Sequence, residues 1–277
     1  MADNAGRQEQ MSQSYNPVLS PREASQTISA LGIRKANTRS WQLLLLGVLA
    51  GVYIGIGSHL FLVAMQAGMG RLVGGAAFGV GLVLVVVAGA ELFTGNIIMV
   101  IGTLTRKFTI GRMVRSWLAV YIGNAVGALL FVALMWHAGL LAQHGTATAV
   151  GQYAGEVATA KLQLTFTEAF IRGILCNMLV VLAIIMAILS KDIISKIACC
   201  ILPIMAFVAS GFEHSIANMY LIPAGLLAQG GGWSTLGASL QNIIPVTLGN
   251  IVGGLAILLL HPNRIRQFIL LTTGKSV

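Results

Sequence analysis

Beyond residue 40 the chain alternates between long apolar runs and short polar connections. The apolar runs fall at 41–65, 72–103, 113–136, 166–189, 197–228 and 240–260. Each is apolar all round rather than along one stripe, and about 20 such residues cross a bilayer as a helix. The pattern predicts an all-α membrane protein with six transmembrane helices. The second and fifth runs exceed one straight crossing, so both are predicted to be broken. Before residue 40 the pattern is polar, rich in Gln, Ser and Asn, and residues 1–19 are expected to be disordered. Ser20-Pro21-Arg22-Glu23 then reads as a capping box, with Ala24, Ile28 and Leu31 following at helical spacing. A short amphipathic helix is expected over 21–34, lying on the membrane surface. The chain thus divides into an N-terminal tail (1–40), a transmembrane domain (41–260) and a C-terminal tail (261–277).

Composition sharpens this picture. Of 277 residues, 56% are hydrophobic and only 9% charged, against about 25% charged in soluble domains. Such a chain cannot cover a water-facing surface. Its net charge of +9 sits between the apolar runs, which argues for topology and lipid headgroups rather than nucleic acid. With the N-terminus inside, fourteen Lys and Arg fall on the inner side; only Arg71 and Lys161 fall outside, and Arg172 lies within a span. Both termini are expected to be cytoplasmic in a multi-pass inner-membrane protein. The polar start predicts no cleavable signal peptide. Cys176, Cys199 and Cys200 lie in or beside apolar runs without Cys-x-x-Cys spacing, so no metal or other cofactor is expected.

The two overlong runs share a motif. Gly89-Ala90-Glu91-Leu92-Phe93-Thr94-Gly95-Asn96 and Gly211-Phe212-Glu213-His214-Ser215-Ile216-Ala217-Asn218 both read Gly-x-Glu-x-x-x-x-Asn. A second pair, Gly123-Asn124-Ala125-Val126-Gly127 and Gly249-Asn250-Ile251-Val252-Gly253, reads Gly-Asn-x-x-Gly. Each half then holds three spans, and an odd number makes the second half enter from the opposite side. That predicts two inverted three-helix repeats with a site at the broken helices. Non-helical backbone at that depth is tolerated only within protein or beside a water-filled cavity. The breaks carry the candidate chemistry. His214 is an intramembrane titratable group and a functional candidate. Thr94, Asn96, Ser215 and Asn218 supply hydrogen-bond donors. Glu91 and Glu213 are expected to brace their loops by accepting from the loops' own N–H groups, together with Asn96 and Asn218. Phe78, Leu82, Leu92, Phe93 and Phe207 flank the polar centre, either as ordinary packing or as constrictions that strip water from a solute. Lys161 stands in a base-poor connection, where a solvated lysine and an anion attractor both fit.

The motifs resemble those of the formate/nitrite transporter family. The stretches that carry the resemblance are residues 89–96, Leu175-Cys176-Asn177-Met178-Leu179-Val180 with Leu182-Ala183, and Phe207 to Met219. The likeness extends over 41–260. It implies an aquaporin-like arrangement of six helices, a homopentamer with one pore per protomer, and small monovalent anions as substrates: formate first, then nitrite or hydrosulfide. It implies His214 as the pore centre faced by Thr94, Asn177 and Lys161 as anion-binding groups, and Phe78, Leu82, Leu92, Phe93, Val180 and Phe207 as two constrictions. Gly95-Asn96 departs from the small hydroxyl residues that follow the threonine in formate channels.

The expected action is passage of a weak-acid anion, aided by protonation from His214 or by its positive field, and not enzymatic catalysis. Three other readings are weighed, one of them a structural or partner-anchoring role through the N-terminal helix. A water channel of the aquaporin kind would carry two Asn-Pro-Ala motifs, and this sequence has none. A membrane redox or haem subunit would need facing ligands such as His59 and His214.

Overall fold

The computed structural model describes residues 16–260. The first 15 residues of the expected N-terminal tail and the whole expected C-terminal tail lie outside the described residues. Apart from a two-residue β-hairpin, β1 Ala142–Gln143 with β2 Thr146–Ala147, the regular structure is helical.

Helix α1, Pro21–Asn37, starts at the Ser20 capping box: the Glu23 carboxylate accepts from the Ser20 N–H at 2.8 Å. It runs three residues further than expected, because Arg34 and Lys35 in the last turn favour the negative end of the helix dipole. It is docked on the bundle, with Ala24 and Ala36 buried, rather than lying free. Part of the segment expected to be disordered is also ordered. Leu19 N–H donates to the Leu189 carbonyl and Lys191 N–H to the Pro17 carbonyl, so residues 17–19 pair with the link that follows a later helix.

Five helical stretches are long and apolar enough to cross a membrane. They are α2, Ser40–Gln66; α3, Gly70–Val83 with its π-helical continuation Leu84–Gly89; α6, Ile110–His137; α8, Phe166–Leu189; and α11, Leu240–Leu260 with the 3₁₀ segment Trp233–Ser239 before it. The fifth apolar run is divided into α9, Ile193–Ala209, and α10, Ser215–Ala228, each too short alone. Between α3 and α6 lie α4, Phe93–Asn96, a 3₁₀ turn and α5, Val100–Leu104; α7, Ala149–Leu162, precedes α8.

The interruptions fall inside the repeated motif. Gly89 has φ +87° and Gly211 φ +74°, the left-handed region that a side chain disfavours. Each chain then turns extended before a new helix begins, at Phe93 and at Ser215. The second motif explains why these exposed backbones are stable. Asn124 donates to the Gly47 and Glu91 carbonyls and accepts from the Phe93 N–H, at 2.8–2.9 Å. Asn250 donates to the Gly173 and Glu213 carbonyls and accepts from the Ser215 N–H, at 2.8–3.0 Å. Each asparagine thus satisfies one carbonyl and one N–H freed by its break, and its third bond ties the break to the helix it crosses.

The glycines of that motif let α6 lie on α2 and α11 lie on α8. A Cβ at Gly127 would run into the Val48 carbonyl, and one at Gly253 into the Ile174 carbonyl. Backbone cannot yield as a side-chain tip can. Gly253→Ala is therefore expected to cost about 1–3 kcal/mol or more. The check is the yield of monodisperse protein after detergent extraction; a wild-type yield would show that the crossing has slack.

Candidate functional site

The two breaks meet through one hydrogen bond. Thr94 Oγ1 and His214 Nε2 are 2.9 Å apart, with both residues buried. The other ring nitrogen, Nδ1, accepts the Ala217 N–H at 3.1 Å and so caps α10. A backbone N–H can only donate, so Nδ1 is bare and the proton of the neutral ring lies on Nε2. That proton is donated to Thr94, which leaves the threonine's own O–H uncommitted among the described residues. The result is a directed chain of donors: helix N–H to imidazole, imidazole to hydroxyl, hydroxyl to whatever lies beyond. Such chains polarise one another.

Two cavities approach this centre. One, of about 680 Å³, is lined by Phe78, Phe207, His214, Lys161, Glu213 and Asn218 among others. The other, of about 650 Å³, is lined by Lys35, Glu91, Leu92 and Asn96 with Arg34 and Lys196. Phe207 stacks on the His214 ring at 5.9 Å between centroids, and Phe78 meets Phe207 edge-on at 5.7 Å. These two rings form an apolar wall beside the histidine. Leu92 belongs to the opposite cavity. Leu82 and Val180 are buried and line neither. Phe93 faces away, packing edge-on against Trp117 and Tyr121, with centroids at 6.0 and 4.9 Å.

The glutamates brace the breaks, but not through loop N–H groups. Glu213 accepts from Lys161 Nζ at 2.8 and 3.0 Å and from Asn218 Nδ2 at 2.6 Å. Glu91 is ion-paired with Lys35 and accepts from Asn96 Nδ2 at 2.8 Å, while Lys35 also donates to Asn96 Oδ1. The backbone N–H groups of Glu91 and Glu213 go instead to the Leu46 and Arg172 carbonyls. Lys161 is therefore not a solvated lysine; its side chain is 14% exposed and held by a carboxylate. Lys35, absent from the sequence-based candidates, is its counterpart. Desolvation pulls the Lys35 ammonium below the usual lysine range, against the pull of Glu91. The signal that finds Lys35 is arithmetic: the Gly-Asn motifs are 126 residues apart, and so are Lys35 and Lys161. Asn96, the departure noted after the threonine, holds the same place relative to Glu91 that Asn218 holds relative to Glu213.

Asn177 has both donor contacts on carbonyls, Thr94 O at 3.3 Å and Asn250 O at 2.7 Å. It ties the first break to α11, and only its Oδ1 lacks a partner among the described residues. Ser215 Oγ, next to His214, is likewise buried and unpartnered. His59 meets Tyr220 Oη at 3.2 Å, not His214, so the facing pair that a haem would need is not formed.

A family model described as Formate/nitrite transporter matches residues 22–262. The chain is 38% identical over 263 residues to the formate channel FocA of Escherichia coli K12, covering 86% of this chain and 90% of that protein. It is 42% identical over 257 residues to a probable formate transporter of Methanothermobacter thermautotrophicus, covering 85% and 92%. Among solved structures, a pentameric formate channel with formate bound matches with a TM-score of 0.66 at 33% identity, over 84% of this chain and 98% of that one. An FNT family ion channel matches with a TM-score of 0.76 at 32% identity, over 84% and 94%. A broken-helix membrane protein with a buried polar centre is the class that fold and site define. The chain belongs to the formate/nitrite transporter family. It is a membrane transport protein, not an enzyme.

Proposed function

We propose that this chain is one protomer of a homopentameric channel for small monovalent weak-acid anions, formate first, with nitrite or hydrosulfide as the alternative cargo of the same family. In this reading each protomer has six membrane crossings, α9 and α10 together making the fifth, arranged as two inverted three-helix repeats in an aquaporin-like bundle. Matched contacts of Asn124 and Asn250, and of the two Lys-Glu-Asn clusters, support the repeat. The excess of Lys and Arg on one side supports an inner-membrane protein with both termini in the cytoplasm.

The observation that carries the function is the Thr94–His214 hydrogen bond, buried at the junction of the two breaks. An anion that has left water behind needs a strong donor there. His214, by donating to Thr94, makes the threonine hydroxyl a better donor to the anion. Loss of the Nε2 proton from a neutral ring would leave an imidazolate, so the ring works as a polarising donor and not as a direct acid. The Phe78–Phe207 wall excludes water on one side, and Leu92 narrows the other. The Lys–Glu–Asn clusters hold the breaks open to both cavities.

The test is a flux panel of formate, nitrite, hydrosulfide, acetate and chloride into proteoliposomes at two pH values. Formate flux well above that of acetate and chloride is expected. Equal passage of chloride, or no passage of any of the five, would end this reading.

A further inference from the structure

The cavity on the Lys161 side holds three basic side chains, Arg71, Lys161 and Arg172, and two acidic ones, Glu156 and Glu213. Lys161 and Glu213 are taken by each other: both carboxylate oxygens lie within 3.0 Å of Nζ. Seen from the mouth of the cavity, that pair is a dipole with no net charge. Among the described residues the only ion pairs are Lys161–Glu213 and Lys35–Glu91, so neither Arg71 nor Arg172 has a described carboxylate within 4.0 Å. Glu156 is exposed and forms no ion pair with either; Glu168, one turn before Arg172 on α8, feels its charge, but its carboxylate is engaged by the Thr165 N–H and hydroxyl.

Arg71 also stands where local energetics disfavour it. It is the second residue of α3, just after Gly70 with φ +80°, at the positive end of a helix dipole. A cation in the first turn is the wrong sign there. No acidic residue in that turn offsets it. The guanidinium and the helix end therefore add their positive potentials at the rim of one cavity. A local rule broken beside a site points to a role in the site.

We infer that Arg71 and Arg172, rather than the neutralised Lys161, supply the free positive charge that captures anions at this cavity. The inference rests on the anion-channel reading above. Each guanidinium keeps its positive charge at any working pH, so the field at the cavity mouth is permanent. Capture raises the local anion concentration ahead of the apolar wall without changing passage through it.

The experiment measures formate influx against concentration for wild type, R71Q/R172Q and R71K/R172K in proteoliposomes, at ionic strengths of about 10 mM and about 0.5 M. At low ionic strength the glutamine variant is expected to need about 3–10-fold more formate for half-maximal flux, with maximal flux within twofold of wild type. The difference should shrink at high ionic strength, and the lysine variant should stay near wild type. Unchanged half-saturation in the glutamine variant would overturn the inference, as would an equal loss at both ionic strengths or a lysine variant that fails as badly. A wild type that passes formate while the variants match it sinks only this inference. A wild type that passes no anion sinks the channel reading and the inference together.

Discussion

A His214→Ala channel is expected to pass formate roughly 10–100-fold more slowly than wild type, while remaining folded and pentameric. The figure corresponds to about 1.5–3 kcal/mol, the worth of a hydrogen bond to a charged group, converted to a rate. The argument runs through Thr94. Without the imidazole, its hydroxyl loses its only side-chain partner among the described residues and the polarisation that makes it a strong donor. Alanine also removes the cap on α10, since Nδ1 accepts the Ala217 N–H. His214→Asn separates these effects, because asparagine is among the best capping residues but has no second nitrogen to reach Thr94. His214→Asn should therefore be as stable as wild type and as slow as His214→Ala. Thr94→Val should match both in flux. If His214→Ala carries formate, nitrite and hydrosulfide at wild-type rates in liposomes, the histidine has no part in passage.

The second large effect concerns stability. Lys161→Met leaves the Glu213 carboxylate buried, 5% exposed, with only Asn218 to satisfy it. Breaking a buried pair by removing one partner typically costs about 3–5 kcal/mol. Removing both charges costs far less, because no ion is left without a partner. Lys161→Met should thus lower the unfolding midpoint of the detergent-solubilised protein markedly. The double variant K161M/E213Q should recover most of the loss. The same contrast is expected at Lys35 and Glu91. If Lys161→Met and the double variant unfold together with wild type, the lysine does not brace this break.

These expectations show where sequence reading reaches and where it stops. The all-helical class follows from runs too apolar and too long for anything else. The interruptions are legible because Gly89 and Gly211 stand two residues before a glutamate in runs that exceed one crossing. The meeting of His214 and Thr94 is legible because the two motifs align. Side-chain direction is not. At a short helix start such as Leu92-Phe93 no period says which residue faces the cavity, and Phe93 turns to Trp117 and Tyr121 instead. Nor is hydrogen-bond commitment. Nothing local to Asn177 reveals that both of its donor contacts go to carbonyls 83 and 73 residues away. Lys35 escapes notice for a different reason: it lies in a segment that reads as a surface helix, outside the domain where partners for Glu91 would be sought.

The capping of α10 by an imidazole has one more effect. An added proton finds Nε2 already filled, so it must go to Nδ1, the atom that terminates the helix. The charged ring and the intact first turn of α10 are therefore alternatives. Acidification strong enough to charge this buried ring would release the amide of Ala217. The Ala217 amide would begin to exchange with solvent deuterium at the acidity where the ring acquires charge. Ring charge and helix fraying would then titrate as one event at the junction of the two breaks.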